Sequence, residues 1–547
     1  MTSLQTEKRI AKYHLFVALA ALAVGALFGP LQALEHAGIN LYPFLQPLIQ
    51  SYYQGLTLHG ILNALVFTTF FITGFLTYMV AKGLDRPIKS PRLSWTGFWL
   101  MVVGLLMAAV PLLLNMATIL YTMYPPMQAP WFFYIGMVLV VVGSWVCGWS
   151  MFLTYREWKK DNPNETTPFL TFASLITMAL WQICTLGIAI EFLVMLIPWS
   201  LGLVDGVDVQ LARTLFWFTG HPLVYFWLLP AYLSWYGMVP KQAGGKLFSE
   251  PMARLAFWLF LLLSTPVGFH HQYVDPGVPA GWKYIHAVLT YAVFFPSILT
   301  AFNVIASMEI GGRARGGKGL FGWIRTLPWR DASFTTQVLA MILFAFGGIG
   351  GVINASYNVN LVIHNTAWVP GHLHLTVGSG VTLTFMGITY WLVPHLTGKK
   401  LWSNRMALWQ AGIWFVGMAI FSRGMHWIGL LGAPRRTMIG VALENYGSGE
   451  WRVPTLMTGI GGMILLVSII LYFWNIVATA YRQKETADVE VPVAEPAQEE
   501  PIPGWLNNWR PWLLGVFALI VLAYGPMIIF LLRNLNSLSP GFNVWGG

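Results

Sequence analysis

Six of the twelve histidines in this 547-residue chain sit in or beside long apolar runs, where an ionisable side chain is costly and marks function by default. They are His59 in QGLTLHGILNA, His221 in TGHPLVY, His270 and His271 in VGFHHQY, and His372 and His374 in VPGHLHLTVG. Imidazole suits copper, iron, zinc and nickel. His372 and His374 are two residues apart, about 200° around a helix, so one helix can serve two cofactors, one per face. His221, His270 and His271 are three imidazoles, a donor set for a catalytic metal with an open position. His59 remains as a partner for one face of the 372/374 helix. Two histidines on one haem iron close an electron-transfer site, whereas a single histidine leaves the far side free for substrate. Tyr225 stands four residues after His221, on the same helix face. Tyr232 and Tyr236 follow, and the three phenols lie within about 40° of one another around a helix. Ser297 and Thr300 place two hydroxyls on one face of a later run, and together these five make a ladder able to relay protons.

The elements that must position these residues are membrane helices. Only 10% of the residues are charged and 56% are hydrophobic, against about 25% charge in a soluble domain. Thirteen apolar runs are long enough to span a bilayer, near 14–34, 56–81, 94–114, 131–154, 168–198, 211–239, 253–271, 282–306, 334–354, 368–395, 404–430, 455–481 and 511–533. The expected fold is an all-α polytopic bundle, one integral domain over residues 1–547. With the N-terminus inside, all but seven of the 31 Lys and Arg fall on the inner side, the seven being Arg213, Lys283, Arg423, Arg435, Arg436, Arg452 and Arg533. The positive-inside rule then predicts N-inside and, with thirteen spans, C-outside. That topology brings the six histidines, from four helices, to one depth in the outer half of the membrane, and the phenols descend from there toward the inside. The net charge of +10 reads as topology and contact with anionic lipid, not nucleic-acid binding.

The remaining features are quieter. His14 and His395 are expected at inner span ends and His36 in an outer loop, while His286 and His426 read as hydrogen-bonded packing residues. Cys147 and Cys184 make no CxxC or CxxxC pattern, which argues against a thiolate metal site or disulfide framework. The Pro- and Glu-rich stretch 483–508 reads as a flexible inside linker before the last span.

The segments GHPLVYFW, STPVGFHHQYVDPG and HNTAWVPGHLHL resemble those of subunit I of the haem–copper terminal oxidases, most closely the B family of ba-type oxidases. The likeness runs in order through nearly the whole chain, including SYYQGLTLHG and APRRTM. It implies a cytochrome c oxidase that reduces O2 to water and translocates protons across a prokaryotic plasma membrane. It implies that His59 and His374 bind a low-spin haem of b type, that His372 binds a high-spin haem of a type, and that His221, His270 and His271 bind one copper. In the family, the histidine and tyrosine matching His221 and Tyr225 are covalently linked, and the phenol supplies an electron and a proton as O–O is cleaved. The implied partners are a subunit II holding dinuclear copper, cytochrome c as donor and membrane lipid, with room for a small single-span subunit. Arg435 and Arg436, a pair suited to two carboxylates, are expected at the haem propionates with His364 and Asn365.

The chain also departs from the pattern. Leu223 stands where many A-family oxidases carry the glutamate that ends a second proton route, which argues for a single route here. Asn360 stands where B-family members have an acid near a propionate, which puts pumping through that group in doubt. Asn303 replaces a hydroxyl residue one turn past Thr300, where an amide can still hold water. Two other readings remain open. Nitric-oxide reductases of the same superfamily lack this tyrosine and use glutamates near a non-haem iron. A haem or metal transporter would favour broken helices and internal repeats, neither of which is evident here.

Overall fold

The computed structural model describes residues 4–440, 449–498, 501–535, 538–539 and 542–543. Thirteen helices dominate it: α1 Gln5–His36, α2 Tyr52–Leu84, α3 Pro91–Leu113, α4 Trp131–Asp161, α5 Phe169–Ser200, α6 Val209–Gly237, α7 Glu250–Ser264, α8 Ala280–Ala314, α9 Ala332–Ala355, α10 Trp368–Thr397, α11 Asn404–Leu430, α12 Gly449–Arg482 and α13 Trp509–Arg533. Short polar residues open many of them. Ser51, Ser90, Asp208, Ser249, Asp331 and Ser403 each accept a backbone N–H of the first turn.

Ten of these helices are long and apolar enough to cross a membrane, against the thirteen spans expected. The other three are α6, α7 and α11. α6 and α11 have the length, at 29 and 27 residues, but histidine, arginine, tyrosine and tryptophan dilute their apolarity. α7 has only 15 residues. The span expected over 253–271 is therefore a correction: its helix ends at Ser264, and His270 and His271 lie in the separate 3-10 turn Gly268–Gln272. Pro266 disfavours continuation of the helix. Gly268 then packs so tightly on Tyr524 and the Trp217 carbonyl that a side chain there would overlap both, and its N–H donates to the Tyr524 hydroxyl at 2.7 Å.

Neighbouring helices pack as α3 on α4, α5 on α6, α7 on α8, α9 on α10, and α11 on α12, with α1 against α2 and α12. The stretch 483–498 has no regular helix, yet its backbone is bonded to the bundle: Leu247 N–H to the Glu495 carbonyl, Ala494 N–H to Gly237, and Lys400 N–H to Glu485. Residues 499 and 500 of the expected linker lie outside the described residues. Phe542–Asn543 pairs with Met127–Gln128 in the α3–α4 loop.

His36 is not a loop residue as expected. It is the last residue of α1, buried, with Nε2 3.4 Å from the Tyr52 hydroxyl. His14 is likewise fully buried. His286 and His426 are held by hydrogen bonds to the Ala523 and Ser422 carbonyls.

Candidate active site

The six histidines converge on one largely apolar cavity of about 850 Å³. That volume is near the upper end for a small-molecule site. His221, His270 and His271 form, among the described residues, a group whose ligand nitrogens all lie within 4.8 Å of one another. A metal with two bonds of about 2 Å spans about 4 Å at most, so the widest pair must close by less than an ångström. α6 brings His221; the 3-10 turn brings the other two. Trp217, one turn before His221, stacks flat on His271 at 3.8 Å and 8°. Thr290 of α8 fixes the tautomer of His270. Its single proton goes to the His286 carbonyl at 2.6 Å, so its oxygen accepts from His270 Nδ1 at 3.0 Å and leaves Nε2 free. His221 Nδ1 faces His271 Nε2 at 3.3 Å, while His221 Nε2 is buried without a partner. The Tyr225 ring lies 5.0 Å from that of His221.

The second pair faces across another part of the cavity. The rings of His59 (α2) and His374 (α10) are 6.2 Å apart and within 15° of parallel. An ion about 2 Å from one nitrogen of each ring takes up most of that gap. The other nitrogens are engaged: His59 Nδ1 with the Gly25 carbonyl at 3.0 Å, and His374 Nδ1 with that of Pro370 at 2.7 Å. His372 shows the same pattern, Nδ1 to the Gly347 carbonyl at 2.9 Å, with Trp368 stacked on it. A carbonyl on Nδ1 places the proton there and turns Nε2 outward as a ligand. All three thus suit iron.

At the cavity's loop end, Arg435 donates through Nε and Nη2 to Asn365 Oδ1 at 3.1 and 2.8 Å. Arg436 reaches Thr122 at 3.1 Å, lies over the Tyr121 ring at 4.8 Å and keeps a buried Nε without a partner. Its backbone is left-handed (φ 61°), a conformation that costs on the order of 1–2 kcal/mol for a residue with a Cβ. Arg435 is half-exposed, but to the cavity. Burial first, and then the Arg436 charge, push its guanidinium down to about 10. Burial and the Arg435 charge push His364 down to about 4, and His364 Nε2 is buried and unpartnered. Among the described residues no carboxylate pairs with either arginine; Asp275 is taken by Arg213 at 2.8 Å. Two adjacent cations facing the cavity, with no carboxylate partner among the described residues, fit a ligand bearing carboxylates.

The hydroxyl ladder is partly continuous. Tyr232 lies against Ser297, and the Tyr236 hydroxyl donates to Thr300 Oγ1 at 2.8 Å. Tyr225, Tyr232, Ser297 and Thr300 border the cavity, whereas Tyr236 does not. Asn303 is tied to the Ser249 backbone, its Oδ1 accepting from Ser249 N–H at 3.1 Å and its Nδ2 donating to the Ser249 carbonyl at 2.6 Å, which leaves one lone pair and one N–H for water. Asn360 accepts from His364 Nδ1 at 3.1 Å and donates to the Asn354 carbonyl at 2.8 Å. Sequence reasoning missed Trp217 and Thr290. The first was legible as the residue one turn before His221. The second carried no local signal, since its partner His270 is on another element.

Residues 9–464 match the family described as Cytochrome C and Quinol oxidase polypeptide I. The chain belongs to that family. Within it, the cytochrome c oxidase subunit 1 of Thermus thermophilus is 47% identical over 98% of this chain and 97% of its own length. The ubiquinol oxidase subunit 1 of Acetobacter aceti is 26% identical over 84% of this chain and 68% of its own. A cryo-EM structure of a haem–copper terminal oxidase dimer superposes with a TM-score of 0.94 at 40% identity, covering 99% of this chain and 96% of that one. As a polypeptide I of this family, the chain is a multi-pass membrane protein and an oxidoreductase.

Proposed function

We propose that this chain is the catalytic subunit of a respiratory oxidase that reduces O2 to water. Electrons come from cytochrome c through a partner subunit, and the reaction is coupled to proton translocation with the N-terminus inside. The observation that carries this reading is the three-imidazole pocket beside Tyr225. When bound, haem iron and copper supply the electron route and the O2-binding centre. His59 and His374 hold the low-spin haem, His372 the high-spin haem, and His221, His270 and His271 the copper. The chain's own groups do the rest. Tyr225 keeps a phenolic proton at the end of the ladder. His221 Nε2, buried and unpartnered, is the nitrogen available for the family's bond to the phenol ring. Arg435, Arg436, His364 and Asn365 bind the propionates. Asn360 cannot ionise, so it orients His364 and stores no proton.

The haem at His372 is of a type with a long isoprenoid tail. The lining of the cavity includes the apolar residues Phe294, Ile298, Ile305 and Met308 of α8 and Met341 and Ile349 of α9. Along α8 that is about 20 Å, more than a haem ring alone needs.

Among the described residues no carboxylate lines the cavity, which sets it against a nitric-oxide reductase. Purified protein is expected to show a low-spin haem, a CO-reactive high-spin haem, one copper and O2 consumption, with an isoprenoid haem in the pyridine extract. Reduction of NO in preference to O2, or absence of tightly held haem, would sink the assignment.

Alanine at His221, His270 or His271 is expected to lower bound copper and stop turnover with both haem spectra retained. Full copper and activity in any one variant removes that residue from the ligand set. Arg436→Leu is expected to weaken retention of haem, measured as faster haem loss to an apo-globin acceptor; unchanged retention would separate Arg436 from the propionates.

A further inference from the structure

The Nδ1 proton of His59 has two neighbours. One is the Gly25 carbonyl of α1, at 3.0 Å. The other is the Asn63 carboxamide, whose Nδ2 lies 3.2 Å from Nδ1 while its Oδ1 is buried without a partner. With Nε2 turned toward His374, Nδ1 carries the proton and cannot accept one from an amide N–H. The two ends of a carboxamide are nearly equal in size, and bonding partners decide which is which. Turned over, Asn63 sets its oxygen on the Nδ1 proton, and the clash of two donors disappears.

The surroundings are built for this contact. Asn63 stands in the π-helical segment Ile61–Phe67, which starts two residues after His59. Such wide turns are rare and gather at functional sites. α1 comes close enough because Gly25 faces Asn63 and Gly29 faces His59, small residues that let helices approach in a membrane. A Cβ on Gly25 would overlap Asn63 Oδ1 and come within 2.9 Å of Leu62 Cβ, and one on Gly29 would lie 3.2 Å from His59 Cε1. Asn63 also borders the cavity.

We propose that Asn63 is a positioning residue that sets the potential of the low-spin haem: its amide oxygen shares the His59 Nδ1 proton with Gly25. Two acceptors on one N–H make the imidazole a more basic ligand, and a more basic ligand favours the oxidised iron. This inference rests on the haem assignment proposed above.

The test is a redox titration of the low-spin band in the purified holoenzyme. Asn63→Leu is close in shape and has no acceptor. It is expected to favour the reduced form by about tenfold, a rise of ~59 mV for one electron. Asn63→Asp keeps an acceptor and stays at or below the wild-type midpoint. CO binding at the His372 haem is unchanged in both. A packing role would move both variants alike or neither. A midpoint in Asn63→Leu at or below wild type, with the low-spin spectrum intact, overturns the proposal. If Asn63→Leu loses the low-spin haem, Asn63→Ala is titrated instead, and loss in both variants also overturns it. Absence of a low-spin spectrum in the wild type would fail the haem assignment itself.

Discussion

His374→Ala is expected to lose the low-spin haem spectrum and keep CO binding, whereas His372→Ala loses CO binding and keeps the low-spin spectrum. The two residues are close in sequence, but their rings are anchored apart. His374 pairs with His59 at 6.2 Å, while His372 is tied to the Gly347 carbonyl of α9 and stacked on Trp368. Each alanine removes one ligand nitrogen with its ring and leaves the other ring's carbonyl anchor untouched. The loss of turnover should exceed the roughly 10–100-fold that changes outside the ligand set cost at metal centres. Optical spectra of the reduced enzyme with and without CO distinguish the variants. Identical spectral losses in two folded variants would contradict a helix serving one cofactor per face.

The second large effect concerns protons. Thr300→Val is nearly isosteric and removes the hydroxyl that accepts from Tyr236 at 2.8 Å and donates to the Pro296 carbonyl at 2.8 Å. The buried Tyr236 hydroxyl is left without its partner, at a cost of about 1–3 kcal/mol. If protons for chemistry climb this ladder, O2 reduction slows by roughly 10²-fold, the lower end for loss of a positioned proton-transfer group. Reduction of the low-spin haem stays near normal, because His59 and His374 are on other helices. Tyr225→Phe is more severe, since it removes both the ladder's end and the phenol beside His221. Flash-initiated reoxidation, resolved by haem and combined with a proton-uptake dye, measures both. Wild-type rates and unchanged uptake in Thr300→Val would mean that the ladder is not obligatory. Leu223 offers no carboxylate for a second route, and Asn303, tied to the Ser249 backbone, continues the path below Thr300 only through its remaining lone pair and N–H or through water.

Composition and periodicity alone determined a helical membrane protein, the positions of most helices, and the division of His372 and His374 between opposite faces. These are local properties: a bilayer demands apolar runs of a fixed length, and a helix turns by a fixed angle per residue. The i, i+4 relation of His221 and Tyr225 was legible for the same reason. Only the tertiary structure decided the rest. It ended α7 at Ser264 and set His270 and His271 on a 3-10 turn, because Gly268 must press against α6 and Tyr524. It buried His36 at the end of α1, tied Asn303 to the Ser249 backbone, and bonded much of 483–498 to the bundle. It brought Gly25, His59 and Asn63 together through close approach at glycines and a π-helical turn. Each depends on which distant surface comes to lie beside a residue, and contacts of that kind leave no period in the sequence.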